Sequence, residues 1–161
     1  MKNAFRVLIC LTVLLLCVSC GGRQAGFSDE DIALVVDGKT VTCNVPMADL
    51  LKALGEPDDY SEAISCAYDG LDKIYVYGDT EIYTYPDGDK DYVLEVAVSG
   101  GTAKTAAGVG VGATLDEVVA VYGDGYTEEG ISLVYEGKTH RLYFIMENGK
   151  ATMLGIAANA Q

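Results

Sequence analysis

Met47-Ala48-Asp49-Leu50-Leu51-Lys52-Ala53-Leu54-Gly55-Glu56 returns 68 residues on as Leu115-Asp116-Glu117-Val118-Val119-Ala120-Val121-Tyr122-Gly123-Asp124. Each stretch repeats apolar residues at helical spacing and then reaches glycine, the residue that ends a helix most cheaply in a left-handed turn. Thr114 followed by Glu117 spells a capping box, and Pro46 stands where a helix start needs no N–H. Two short helices therefore punctuate the chain and predict its plan.

The likeness extends past the helices. Ser65-Cys66-Ala67-Tyr68-Asp69-Gly70 aligns with Ser132-Leu133-Val134-Tyr135-Glu136-Gly137, and Lys73-Ile74-Tyr75-Val76 with Arg141-Leu142-Tyr143-Phe144. Lys90 to Val98 aligns with Lys150 to Ala158, and Glu81-Ile82-Tyr83-Thr84-Tyr85 reads as a strand added to the first copy. Four matches in order predict a tandem duplication. Alternating stretches at Ile74/Val76, Leu142/Phe144 and 93–98 read as strands, with turns at Asp37-Gly38, Gly88, Gly100-Gly101 and Asn148-Gly149. The expected class is α+β: an antiparallel sheet with two short helices on one face, built from two helix-plus-strands repeats. The globular part is expected over 32–161, with repeats of about 32–98 and 99–161.

Composition limits the function. The chain has 161 residues and a formal charge of −13, from 11 Lys+Arg and 24 Asp+Glu. That leaves no basic surface for nucleic acid. One His and no Trp give little material for a histidine-rich metal centre. Lys2 and Arg6 precede an apolar run from Val7 to Val18, too short to span a bilayer permanently. The run ends Cys17-Val18-Ser19-Cys20-Gly21-Gly22. This segment resembles a bacterial lipoprotein signal, although Cys17 stands where leucine is usual. The resemblance implies a signal peptide over 1–19, a lipidated Cys20 with a tether over 20–31, and a location on the outer side of the cell membrane. Loss of Lys2 and Arg6 would take the charge from −13 to −15, so lipid rather than charge must hold the membrane.

Cys43 and Cys66 then remain as an even pair in an exported domain. A disulfide between them is expected, with two buried free thiols as the alternative.

Two Gly-ended helices, each followed by strands, resemble the tandem fold of the β-lactamase-inhibitor protein family. Val109-Gly110-Val111-Gly112-Ala113-Thr114-Leu115-Asp116-Glu117-Val118 with Gly123 is similar to the helix signature of small outer-membrane assembly lipoproteins. Ser65-Cys66-Ala67-Tyr68 and Thr84-Tyr85-Pro86 resemble uncharacterised lipoproteins of Gram-positive gut bacteria. These resemblances imply an envelope location and, from the inhibitor-type fold, an open sheet face that holds a protein.

The 11 tyrosines are the main candidate binding residues. Alternation puts Lys73, Tyr75 and Tyr77 on one face, Tyr83 and Tyr85 together, and Arg141 with Tyr143. With the helices expected over Ile74, Val76, Leu142 and Phe144, these seven residues would line an open face suited to a protein or peptide. Tyrosines filling a half-wet sheet are the bland alternative. Asp87, Asp89 and Asp91 alternate like a calcium loop, but Tyr92 replaces the required glycine and Val98 the last acid, which favours a plain hairpin. Gly108, Gly110 and Gly112 lack the Lys-Ser/Thr of a phosphate loop. His140 reads as a rim residue, and Asp58-Asp59 and Glu128-Glu129 as solvated loop acids. No catalytic set emerges and no cofactor is implied. The expected function is a non-enzymatic, lipid-anchored binding module, an inhibitor or scaffold; the alternative is a calcium- or glycan-binding extracytoplasmic module.

Overall fold

The computed structural model describes residues 27–159. The expected signal peptide, Cys20 and the first part of the tether lie outside the described residues. Phe27 already packs on the core, and Asp29 Oδ1 accepts the backbone N–H of Lys138 at 2.6 Å. The last residues of the expected tether, from 27 on, thus belong to the folded domain.

A three-residue turn at Asp29–Asp31 leads into a small sheet. Its strands are β1 (Leu34–Val36), β2 (Lys39–Val41) and β7 (Lys104–Thr105), in the order β2-β1-β7. Asp37 and Gly38 both take positive φ, 48° and 75°, so they form the two-residue turn that matches strand twist.

The large sheet has eight antiparallel strands in the order β3-β4-β5-β6-β11-β10-β9-β8. They are β3 (Asp59–Ile64), β4 (Leu71–Tyr77), β5 (Thr80–Asp87), β6 (Lys90–Val98), β8 (Thr127–Glu129), β9 (Ser132–Glu136), β10 (His140–Glu147) and β11 (Lys150–Ala158). Helix α1 (Met47–Leu54) precedes the first four and α2 (Leu115–Tyr122) the last four. The class is therefore α+β, rich in antiparallel sheet, as expected. The acids Asp59 and Glu128-Glu129 lie in edge strands rather than loops. Residues 65–70 form a turn between β3 and β4, whereas 132–136 is strand β9, so these two stretches do not hold equivalent places. Glu81–Tyr85 is no added strand either: β5 lies beside β6 as β10 lies beside β11.

One face of the large sheet carries the core. Ile82, Val96, Val98, Leu142, Phe144, Leu154 and Ile156 are buried there with Met47 and Leu50 of α1, Val118 and Tyr122 of α2, and Leu34, Val36 and Val41 of the small sheet. Thr114 Oγ1 accepts the Glu117 N–H, and the Glu117 carboxylate accepts the Thr114 N–H at 2.8 Å, which closes the capping box. Both helices end at glycines of positive φ, Gly55 at 88° and Gly123 at 81°. Among the described residues no helix is long and apolar enough to cross a membrane.

Candidate binding surface

The helix-bearing face of β4 is the opposite of the one alternation suggested. Tyr75 and Tyr77 are only 8% and 9% exposed and join the core, whereas Ile74 and Val76 lie half-buried on the face without helices. The pairing explains the reversal. Tyr75 sits opposite Ile82 and Tyr77 opposite Thr80, both buried. The Tyr77 hydroxyl also donates to the Gly55 carbonyl at 2.9 Å, so its ring fills the core and its polar tip closes the end of α1. Lys73 follows the same side, where its Nζ meets Asp91 Oδ2 at 2.7 Å. In the second half the expectation holds: Leu142 and Phe144 are buried, and Arg141 and Tyr143 face away from the helices.

The face without helices is built from cross-strand rows. Ile74, Tyr83, Glu95, Ala157, Arg141 and Glu136 are successive partners across six strands. The next row brings Val76, Glu81, Ala97, Gly155, Tyr143 and Val134 side by side. The two central strands carry Ala157, Ala97 and Gly155 in these rows, with Glu95 the one larger side chain there, and the other bulky side chains flank them. Tyr143 lies across Gly155, where an added Cβ would strike its hydroxyl and approach Val96 O to 2.6 Å. From there its hydroxyl reaches Glu95 Oε1 at 2.6 Å. Burial, then this bond, raises the Tyr143 hydroxyl far above its ordinary range. Tyr83 donates to Glu81, and that bond followed by burial pushes it up to about 12. Both phenols are thus fixed donors at neutral pH. Arg141 reaches Glu129 at 4.0 Å and stays half-exposed, leaving its guanidinium free for another partner.

The seven expected residues therefore divide. Tyr83, Arg141 and Tyr143 share the open face, while Lys73, Tyr75 and Tyr77 lie on the covered side. Tyr85 stacks between Tyr68 and Tyr92, with ring centroids 5.0 and 5.9 Å away, and its hydroxyl lies 3.5 Å from Asn44 Oδ1. Glu95, Ile74 and Val76 were missed. The small residues Ala97, Gly155 and Ala157 were the available signal, since an uncovered sheet centre with such side chains leaves room above it.

Other expectations fare as follows. Among the described residues Cys43 and Cys66 are both free. Cys43 is buried in the core and Cys66 exposed in the 65–70 turn, so the expected bridge is not made. Burial pushes the Cys43 thiol up to about 12, which leaves it protonated and unreactive. Asp87, Asp89 and Asp91 do not converge. Gly88, at φ 62°, turns the chain between β5 and β6, Asp87 and Asp89 are exposed, and Asp91 is taken by Lys73. Among the described residues no three acidic, His or Cys side chains form a metal cluster. His140 begins β10 with its Nδ1 2.9 Å from the Thr139 hydroxyl.

Compared with models of known protein families, with curated proteins and with solved structures, the chain matches none.

Proposed function

We propose that this chain is a lipid-anchored, non-enzymatic protein of the cell envelope that holds a protein or peptide on the open face of its large sheet. The observation that carries the reading is the uncovered face itself. The large sheet presents Ile74, Val76, Tyr83, Tyr143, Arg141 and Met153, and among the described residues no helix lies above them. Aromatic and arginine side chains over an apolar floor are the composition of binding hot spots. Resemblance to the inhibitor-type fold adds the role of inhibitor or scaffold. Two tandem copies are the origin we assign to the domain. Supporting it, each half runs helix then four strands, and each helix end is held alike: Tyr77 by the Gly55 carbonyl, Tyr135 by the Gly123 carbonyl at 2.8 Å. The anchor reading rests on Cys20 and the apolar run before it.

The test uses the full chain, solubilised in a neutral detergent, to retain partners from an envelope extract. A double variant, Ile74→Ser with Arg141→Ala, alters only open-face side chains and should melt as the parent does. Lys52→Glu, on the exposed side of α1, serves as control. A protein retained by the parent and the control but lost with the double variant is the expected result. Retention unaffected by the double variant, or lost equally with the control, overturns the reading. Cys20→Ser should separately move the chain from the membrane to the soluble fraction.

A further inference from the structure

At the β3 end of the open face, Ser61, Ala63, Asp72, Ile74, Tyr83 and Leu94 line a cavity of about 210 Å³. Sites for drug-sized ligands run from about 300 to 1,000 Å³, so this one has the size for a side chain. Most of its wall is apolar, formed by Ala63, Ile74, Leu94 and the Tyr83 ring. Glu62 and Lys73 also border the cavity, but they share a cross-strand row with the buried Thr84 whose side chains alternate to the other face, so Asp72 supplies the charge on this one. Its Oδ1 is closed off from solvent and has no hydrogen-bond partner among the described residues. The neighbouring cation cannot serve it: Lys73 points to the other face of the sheet and is held by Asp91. A shielded carboxylate oxygen without a donor is costly, and an incoming cation relieves that cost.

We propose that this cavity takes the alkylammonium side chain of a lysine carried by the partner, a reading that rests on the open face being the partner's seat. The stem of a lysine is apolar and unbranched, and its head is a compact cation with three donors. The stem lies against Ile74 and Leu94, and the head offsets the Asp72 charge from within the cavity. The formal charge of −13 draws a basic partner toward this surface and makes the encounter sensitive to salt. Arg141, at the far side of the same face, is placed for an acidic group of the partner, so the two anchors would set its direction.

The probe is n-butylammonium chloride, which reproduces the lysine side chain, with n-butanol as its uncharged counterpart. Each is titrated into the ¹⁵N-labelled full chain in a neutral detergent and followed by amide chemical shifts. Saturable shifts confined to residues 61–63, 72–74 and 83 are expected with the ammonium and not with the alcohol. Asp72→Asn should weaken the binding about tenfold or more. Ile74→Trp, which fills the cavity and keeps the carboxylate, should abolish it. Equal affinity in Asp72→Asn, shifts spread over the acidic surface, or no shift at all would overturn the proposal. Its failure is separable from that of the sheet-face reading. A partner still captured through Arg141 and Ile74 with no ammonium binding removes the cavity alone. Ammonium binding with no face-dependent partner keeps the cavity and removes its assigned occupant.

Discussion

The same bond closes both helices, but its surroundings differ. Tyr135 is fully buried in the second half, where the rings of Phe27, Tyr122, Tyr126 and Phe144 lie 5.2 to 6.4 Å from its own. Tyr77 makes the equivalent bond at the rim of a polar cleft that it shares with Asp37, Asp58 and Asp79. Other tyrosines of the first half are spent outside the core: Tyr60 and Tyr68 are exposed, and Tyr85 stacks between Tyr68 and Tyr92. A hydroxyl-to-carbonyl bond is thus made in both halves, while the aromatic packing that shields it belongs to one. The second half carries a concentrated aromatic core. The first carries longer strands and most of the exposed rings.

Truncation should expose this asymmetry most strongly. Phe144→Ala removes a fully buried ring from the aromatic cluster and is expected to cost about 3–5 kcal/mol. Tyr75→Ala, under the first half of the sheet and near its edge, should cost less, about 1.5–3 kcal/mol. Urea unfolding of both variants measures the difference. A Tyr75 loss equal to that of Phe144 would show that the first half is packed as tightly as the second.

Much of this plan was legible in the sequence, for physical reasons that can be named. The helices were readable because their capping residues and terminal glycines are local signals: Thr114 with Glu117 at one start, Gly55 and Gly123 at the ends. The faces of β10 were readable because Leu142 and Phe144 are simply apolar. Those of β4 were not. Tyr75 and Tyr77 are amphipathic, so hydropathy ranked Ile74 and Val76 as the inward pair. What decided otherwise was long-range: a carbonyl 22 residues upstream to receive the Tyr77 hydroxyl, and Ile82 opposite Tyr75. Matching Lys73–Val76 to Arg141–Phe144 carried the same error, since it set a strand beside the edge against one next to the centre. The cysteine pair failed for a different reason. Even counting says nothing of burial, and one thiol lies in the core while the other lies in a surface turn.

Removing single hydroxyls refines the comparison. Tyr135→Phe leaves the half-buried Gly123 carbonyl without its donor and should cost about 1–3 kcal/mol. Tyr77→Phe frees the carbonyl of Gly55, an exposed residue that water can reach, so its cost should fall at or below about 1 kcal/mol. Thermal unfolding of the two variants beside the parent gives the order. Equal losses would mean that the cleft beside Tyr77 admits no water in place of the hydroxyl.

The helix starts should differ by the least. The box at α2 is made by Thr114 and Glu117, whereas α1 begins after Pro46 with no side-chain cap. Thr114→Ala is expected to cost about 1 kcal/mol. Glu117 adds a pH dependence whose sign follows from its bonds. The backbone N–H of Thr114, then its hydroxyl, hold the carboxyl below its ordinary range. The stabilisation is therefore complete above the ordinary carboxylate range and is lost as pH falls through the lowered folded value. Parent and Glu117→Gln should differ in urea midpoint at neutral pH and converge in acid. A gap that survives acidification would mean that the two bonds act through position rather than charge, and the contrast between the two helix starts would then lie in the threonine alone.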